Sequence, residues 1–243
     1  MYFIFDTETS GLPKKRNADF MDDDSYSTCR MVSMAWIVLS ESMEVETKGY
    51  FVIKPSPGMV ISQGSINVHG ITNEIARDTG YDFADVVKAF KADIERCTHL
   101  VAHNICFDYG VLMHELHCVN NVDMVEHVKR MGRICTMIKG KIYLGAKKWP
   151  RLAELYATLF DGAVIENAHN ALVDAAACAD CFRVIMPRPV ASATASSQPR
   201  ITKLTSGQAV AVPAAAVPLV APLPPCDCCE SRFSQSDNSL QLA

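Results

Sequence analysis

Short apolar runs and polar links alternate along the first half of the chain, and their periods assign most of the elements. The opening stretch Tyr2–Leu12 reads Tyr-Phe-Ile-Phe-Asp-Thr-Glu-Thr-Ser-Gly-Leu. A run this short, rich in Phe and Ile and closed by Ser-Gly, predicts a strand buried on both faces. Met31–Leu39 is a second apolar run and Gly49–Ile53 a third, and the Glu-rich link Ser40–Lys48 between them predicts an antiparallel hairpin. The polar, acidic segment Pro13–Arg30 reads as a long loop with Asp22, Asp23 and Asp24 solvated at its tip.

Pro55 and Pro57 break the strand pattern, and Ile66–Thr72 reads as a turn that sets His69 beside Gly70. Phe83, Val86, Val87, Phe90 and Ile94 recur at helical spacing, so an amphipathic helix is expected over Phe83–Arg96. Leu100–Ala102 predicts a short buried strand, followed by a helix from about Phe107 to His117 with Asn104 as N-cap and Asp108 as a first-turn acid. Ile134–Ile138 is expected as a fifth strand. Leu152, Leu155, Tyr156 and Leu159 mark a helix from about Pro150, and Asn170–Ile185 an alanine-rich helix preceded by His169. Three strands, then alternating helix and strand, then terminal helices predict an α/β sandwich around a mixed sheet.

Composition divides the chain at Pro187. The segment Pro187–Ala243 holds eight of the twelve prolines and ten alanines, with Phe233 its only aromatic residue. Such a sequence cannot offset the entropy of folding, so residues 1–186 are expected as the folded domain and 187–243 as a disordered tail with a Pro/Ala/Val spacer at Ala209–Pro225. No apolar run approaches the roughly 20 residues of a membrane span, and no signal-peptide pattern opens the chain. Ten scattered cysteines suit reduced thiols in a cytoplasmic or other reducing compartment rather than a secreted disulfide scaffold. The net charge of −4 argues against a protein that coats nucleic acid generally. Even so, Lys129–Arg151 contains eight Lys or Arg and no acid, a local stretch that suits either phosphates or a solvated face.

Candidate chemistry concentrates in acids. Side chains two apart in a strand share a face, so Asp6 and Glu8 would project together, repelling each other unless a divalent cation lies between them. Asp108 follows in Val101-Ala102-His103-Asn104-Ile105-Cys106-Phe107-Asp108, and Asp174 in His169-Asn170-Ala171-Leu172-Val173-Asp174. Each falls at the end of an element, where α/β sheets place their sites. Four carboxylates with no convergent Cys/His set describe a hard-oxygen site for Mg²⁺ or Mn²⁺. Cys178-x-x-Cys181 looks like half a zinc site that Cys226, Cys228 and Cys229, or His114-x-x-His117 with Cys118, would complete. The spacing is incomplete, and buried helix cysteines are the reading adopted.

In order and spacing, the three acidic motifs resemble those of the DEDDh family of 3′–5′ exonucleases, and are similar to those of the proofreading (epsilon) subunit of bacterial DNA polymerase III and its relatives. The resemblance covers Tyr2–Ile185 and includes Val68-His69-Gly70-Ile71-Thr72 between the first and second motifs. It implies a ribonuclease H-like fold, a five-stranded mixed sheet flanked by helices, and a two-metal-ion phosphodiester hydrolase. By that resemblance Asp6, Glu8 and Asp174 would hold one Mg²⁺ or Mn²⁺, Asp6 and Asp108 a second, and His169 would be the general base. Thr9, Gly11, Leu12, His69 and Phe107 would hold the terminal nucleotide. The expected substrate is the 3′ end of a single strand, DNA in preference to RNA, with release of nucleoside 5′-monophosphates. A DNA polymerase or replication factor is a candidate partner for the tail. The alternatives are an RNA-trimming exonuclease of the same family and a non-catalytic interaction module on the same fold. One departure stands out: relatives often carry Asp-Thr where this chain has Cys135-Thr136.

Overall fold

In chain order the elements are β1 (Tyr2–Thr9), α1 (Asp23–Tyr26), β2 (Met31–Leu39), β3 (Val45–Val52), α2 (Gln63–His69), α3 (Asn73–Thr79), α4 (Phe83–Glu95), β4 (His99–Ala102), α5 (Ile105–Cys118), α6 (Val122–Arg130), β5 (Gly132–Cys135), α7 (Thr136–Leu144), α8 (Leu152–Leu159) and α9 (Ala171–Ile185). They come from a computed structural model that describes residues 1–186. The expected tail 187–243, with its spacer and the cysteines Cys226, Cys228 and Cys229, lies outside the described residues.

The sheet order is β3-β2-β1-β4-β5. β1 pairs antiparallel with β2 and β2 antiparallel with β3, while β4 runs parallel to β1 and β5 parallel to β4. The mixed sheet is thus a three-stranded meander joined to two crossover strands, as the element order predicts. The β1–β4 pairing ends at Ile4 opposite Val101, so β1 runs on past its parallel neighbour and carries Asp6 and Glu8 beyond the stretch paired with β4, while they stay paired with β2.

Alternation along the strands splits the apolar residues between two cores. Phe3, Phe5, Met34, Trp36 and Val38 join Val86, Phe90 and Ile94 of α4 and Val111, Leu112 and Leu116 of α5 on one face. Ile4, Ala35, Ile37 and Leu39 meet Ala171, Ala175, Cys178, Ala179 and Phe182 of α9 on the other. Ala171, Ala175 and Ala179 recur every four residues, so a stripe of small side chains lets α9 settle closely on β1 and β2. Trp36 stacks between Phe3 and Phe51, with ring planes 11° and 8° from parallel, and its Nε1 donates to Asp93 at 2.8 Å. Gly49 pairs with Trp36 because a Cβ there would lie 2.2 Å from the indole ring.

Several expectations are corrected. β3 begins at Val45 rather than Gly49, because the polar residues Glu46–Lys48 still complete the backbone ladder with β2. The expected turn Ile66–Thr72 contains the end of α2, which Ser62 caps and Gly70 closes at φ 74°, and α3 follows at once under the Thr72 cap. The fifth strand runs over Gly132–Cys135, and the chain turns into α7 at Thr136 where a strand to Ile138 was expected. α6, with Met124, Val125 and Val128 buried, fills a stretch without an assignment. The Pro13–Arg30 loop contains the single turn α1, where Asp22 caps the helix by accepting from Ser25 N–H, and where Lys14 pairs with Asp24 and Lys15 with Asp22. Asn104 occupies the N-cap position of α5 in the left-handed region at φ 63°, and its side chain makes no capping bond.

Candidate active site

β1 delivers Asp6 and Glu8 to the face that α9 covers, and α9 brings Asp174 in its first turn. Carboxylate oxygens of Asp6, Glu8 and Asp174 lie within 4.8 Å of one another. Thr7, between the two strand acids, points through the alternation to the opposite face, where α5 lies. There its N–H donates to Asp108 Oδ1 at 3.0 Å and its hydroxyl donates to the same oxygen at 2.8 Å. Those two bonds hold the buried Asp108 carboxyl beside the strand acids. Sequence reasoning missed Thr7, whose signal was its place in the Asp-Thr-Glu triplet.

The electrostatics follow from the crowding. Burial and the charges of Asp108, Asp174 and Glu8 push the Asp6 carboxyl well above the carboxylate range. Burial, with Asp174 and Asp108 close by, raises Glu8 to about 8. Asp108 is raised by burial despite its bonds from Thr7, and Asp174 by burial despite the His169 N–H that donates to its Oδ2 at 2.9 Å. Among the described residues no Lys or Arg forms a salt bridge with any of these four carboxylates. An uncompensated cluster of hard oxygen donors fits a divalent cation such as Mg²⁺ or Mn²⁺, and lacks the thiolate and imidazole donors of a zinc centre.

His169 sits in the loop before α9 in the left-handed region at φ 66°, and its backbone is tied to Asp174. Asn170 caps α9 by accepting from Leu172 and Val173 N–H, so the turn that displays the His169 imidazole is anchored on both sides. His69 approaches from α2. Its Nδ1 accepts from Ile71 N–H at 3.0 Å, so the ring proton resides on Nε2 and is directed at the Thr9 carbonyl, 3.3 Å away. Burial lowers the His69 pKa, with nearby His169 acting in the same sense and the Thr9 carbonyl against it.

Thr9 Oγ1 donates to the Gly11 carbonyl at 2.8 Å. A Cβ on Gly11 would lie 2.6 Å from Thr28 O, so only glycine lets the chain pass here. Leu12 is 61% exposed and free of the core, whereas Phe107 is partly buried against the α4/α5 core and has a packing role beside its expected one. His103, in the second motif, is partly buried between Thr136 Oγ1 and Pro150 O, each 3.1 Å from a ring nitrogen, and desolvation lowers it to about 4. Thr136 of the divergent Cys135-Thr136 pair thus helps hold α7 against the end of β4. Cys178 and Cys181 are buried in α9, across the sheet from His114 and Cys118 on α5, and do not meet them. The basic run is divided among local partners: Lys129 pairs with Glu126, Lys148 with Glu154, Arg133 stacks over Tyr109 and Lys141 over Trp149.

No helix among the described residues is long and apolar enough to cross a membrane. Cys29, Cys97, Cys118, Cys178 and Cys181 carry free thiols. The five-stranded mixed sheet with helices on both faces is the ribonuclease H-like arrangement expected from the sequence.

Comparison with known proteins addresses the family and the fold. The epsilon subunit of DNA polymerase III from Buchnera aphidicola subsp. Acyrthosiphon pisum (strain APS) is 36% identical over 117 residues, which are 48% of this chain and 45% of that protein. The match therefore spans under half the length of this curated relative. Escherichia coli exonuclease I in complex with a dT13 oligonucleotide superposes with a TM-score of 0.59 at 19% identity, over 77% of this chain and 41% of that one. Exonuclease X in complex with 5′ overhanging duplex DNA superposes at 0.50 and 21% identity, over 76% of this chain and 92% of that one. At such identities the superpositions establish the shared fold. The model of the exonuclease family (RNase_T) matches residues 3–182, a span that takes in Asp6, Glu8, Asp108, His169 and Asp174, and the chain belongs to that family.

Proposed function

We propose that this exonuclease-family chain removes nucleoside 5′-monophosphates from the 3′ end of single-stranded nucleic acid, acting on DNA in preference to RNA. The observation that carries the reading is the convergence of Asp6, Glu8 and Asp174, from opposite ends of the domain, with Asp108 held beside them by Thr7. Asp6, Glu8 and Asp174 would hold one Mg²⁺ or Mn²⁺, and Asp6 with Asp108 a second. Divalent ions in such a site supply activation of water and neutralise the charge on the attacking and leaving oxygens of the phosphodiester.

The protein's own groups do the rest. His169 accepts a proton from the attacking water as oxygen bonds to phosphorus, and the bond to the 3′-oxygen of the preceding nucleotide breaks. The neutral His69 ring, bonded to the Thr9 carbonyl, fixes the backbone at Thr9–Gly11 against which the terminal sugar lies. Leu12, exposed four residues after Glu8, presents an apolar surface to the terminal base. The DNA preference rests on the bound ligands named for the two structural neighbours, a dT13 oligonucleotide and a 5′-overhanging duplex. Because the relative from Buchnera is a polymerase subunit, a DNA polymerase is the partner we assign for testing.

The test is degradation of 5′-labelled DNA and RNA oligonucleotides with Mg²⁺, with and without EDTA. Stepwise shortening of the DNA from the 3′ end, abolished by EDTA and by Asp6→Ala, is the expected result. Faster trimming of RNA would move the assignment to the RNA branch, and no cleavage of either by folded protein would leave the interaction-module reading.

A further inference from the structure

A second group of ligand-bearing side chains lies away from the carboxylate cluster, at the C-terminal end of α5. His114, His117 and Cys118 are spaced i, i+3 and i+4, so they share one helix face. Asp23 of α1 faces them: donor atoms of Asp23, His114 and Cys118 lie within 4.8 Å of one another. Asp23 Oδ1 is also 4.0 Å from His117 Nε2. We propose that Asp23, His114, His117 and Cys118 form a second metal site, for a four-coordinate thiophilic cation of the Zn²⁺ class.

The hydrogen bonding of His114 is the strongest support. This imidazole is 2% exposed, lies parallel to the Tyr26 ring at 4.4 Å, and has its Nδ1 2.8 Å from the Phe20 carbonyl. A carbonyl only accepts, so Nδ1 carries the proton and Nε2 presents its lone pair. A backbone carbonyl on the far nitrogen is the partner that metal-bound imidazoles usually have, since it sets tautomer and ring plane. The lone pair is directed at Cys118 Sγ, 3.4 Å away. With Zn–N near 2.0 Å and Zn–S near 2.3 Å, the N···S edge of a tetrahedral site is about 3.5 Å. The His114–Cys118 edge therefore has the required length with no ion present. Asp23 lies within 4.8 Å of both, while the His117 ring centroid is 6.5 Å from that of His114 and must turn inward to join them; the Asp23 and His117 side chains are 77% and 41% accessible and free to do so.

The donor set separates the two centres chemically. One sulfur, two imidazole nitrogens and a carboxylate select Zn²⁺ over Mg²⁺, whereas the catalytic cluster offers only oxygens. An ion here would fasten α1, and with it the segment that follows Leu12, to the helix that carries Asp108.

The test uses the full chain, reduced, stripped with EDTA and desalted, then titrated with Co²⁺ as a spectroscopic stand-in for Zn²⁺. The expected result is one equivalent bound with a sulfur-to-cobalt charge-transfer band and the intense visible bands of four-coordinate Co²⁺, both displaced by Zn²⁺. Cys118→Ser should remove the charge-transfer band while leaving Mg²⁺-dependent cleavage intact, and Asp23→Asn should weaken Co²⁺ binding about tenfold or more. Both residues are exposed, so neither variant threatens the fold. The signal should persist when Cys226, Cys228 and Cys229 are all replaced by Ser. No band in the wild-type protein, or a band that survives Cys118→Ser, would overturn the site.

Discussion

A carboxyl that titrates far above its ordinary value makes the stability of the metal-free protein depend on pH, and Glu8 is the group for which the size of the effect can be worked out. Its pKa is about 8 in the folded chain against an ordinary 4.5, chiefly because of burial and then because of Asp174 and Asp108. Below the unfolded value Glu8 is neutral in both states and costs nothing. Between the two values the unfolded chain has lost this proton while the folded chain keeps it, so stability falls as pH rises, by about 1.4 kcal/mol per pH unit. From about pH 5 to about pH 8 Glu8 alone therefore removes roughly 4 kcal/mol, a large share of the 5–15 kcal/mol typical of a domain. Glu8→Gln keeps the shape and removes the titration. Urea unfolding in EDTA, followed by tryptophan fluorescence at a series of pH values, should give a steep decline for wild type and a decline shallower by about that amount for Glu8→Gln. Mg²⁺ should restore the wild type at high pH, where it meets ionised oxygens, and stabilise the variant less, because Asp6, Asp108 and Asp174 remain to it but Glu8 does not. Parallel curves for the two proteins in EDTA would refute the reasoning, because Glu8 would then ionise in the folded state as freely as in the unfolded one.

His169→Ala should lower single-turnover cleavage by roughly 10²–10⁴-fold while leaving Mg²⁺ affinity unchanged, and His169→Tyr should recover little, because the phenol reaches a different point from the imidazole; an unchanged rate in the alanine variant would remove His169 from the mechanism. Thr7→Val keeps the backbone donor to Asp108 and deletes the hydroxyl donor, so it should cut the rate about 10–100-fold, corresponding to the roughly 1.5–3 kcal/mol of a hydrogen bond to a charged group. Wild-type rates across a Mg²⁺ titration of Thr7→Val would show that Asp108 is held without it. A chain ending at Pro187 should melt and cleave oligonucleotides as the full chain does, measured by calorimetry and the same assay; loss of either property would place residues beyond 187 in the folded domain.

The strands and the acids were legible because both depend on short-range periodicity. Met31–Leu39 is continuous and apolar, and its boundaries are those expected. Phe83–Glu95 falls one residue short of its expected end. Ile134–Ile138 misled because a mainly apolar stretch this short does not distinguish strand from helix. The ladder with β4 ends at Cys135, and the buried Thr136 starts a helix instead. α2 and α3 were hidden by the Gly70 that separates them, since a glycine that ends one helix reads locally as a turn. In the site, the strand alternation gave Asp6 and Glu8 a common face. It could not give Thr7 its partner, because that required knowing that α5, about a hundred residues on, packs beneath the sheet. The meeting of Asp23 with His114 was hidden for the same reason: α1 is a single turn inside what reads as a loop.

The bond between Thr7 and Asp108 spans 101 residues, and the fourth carboxylate comes from α9, the last described element. Contacts of such long range form late, after the loops that separate them have closed. A chain emerging from the ribosome presents Asp6 and Glu8 before Asp108 and Asp174 last of the four, so residues 1–168 hold only three of the four acids and lack His169. On the proposed function, nuclease activity would thereby be withheld from nascent and partly unfolded chains. It can also serve as a readout of complete refolding, stricter than helical content, because α4 and α5 can form their turns without assembling anything that cuts.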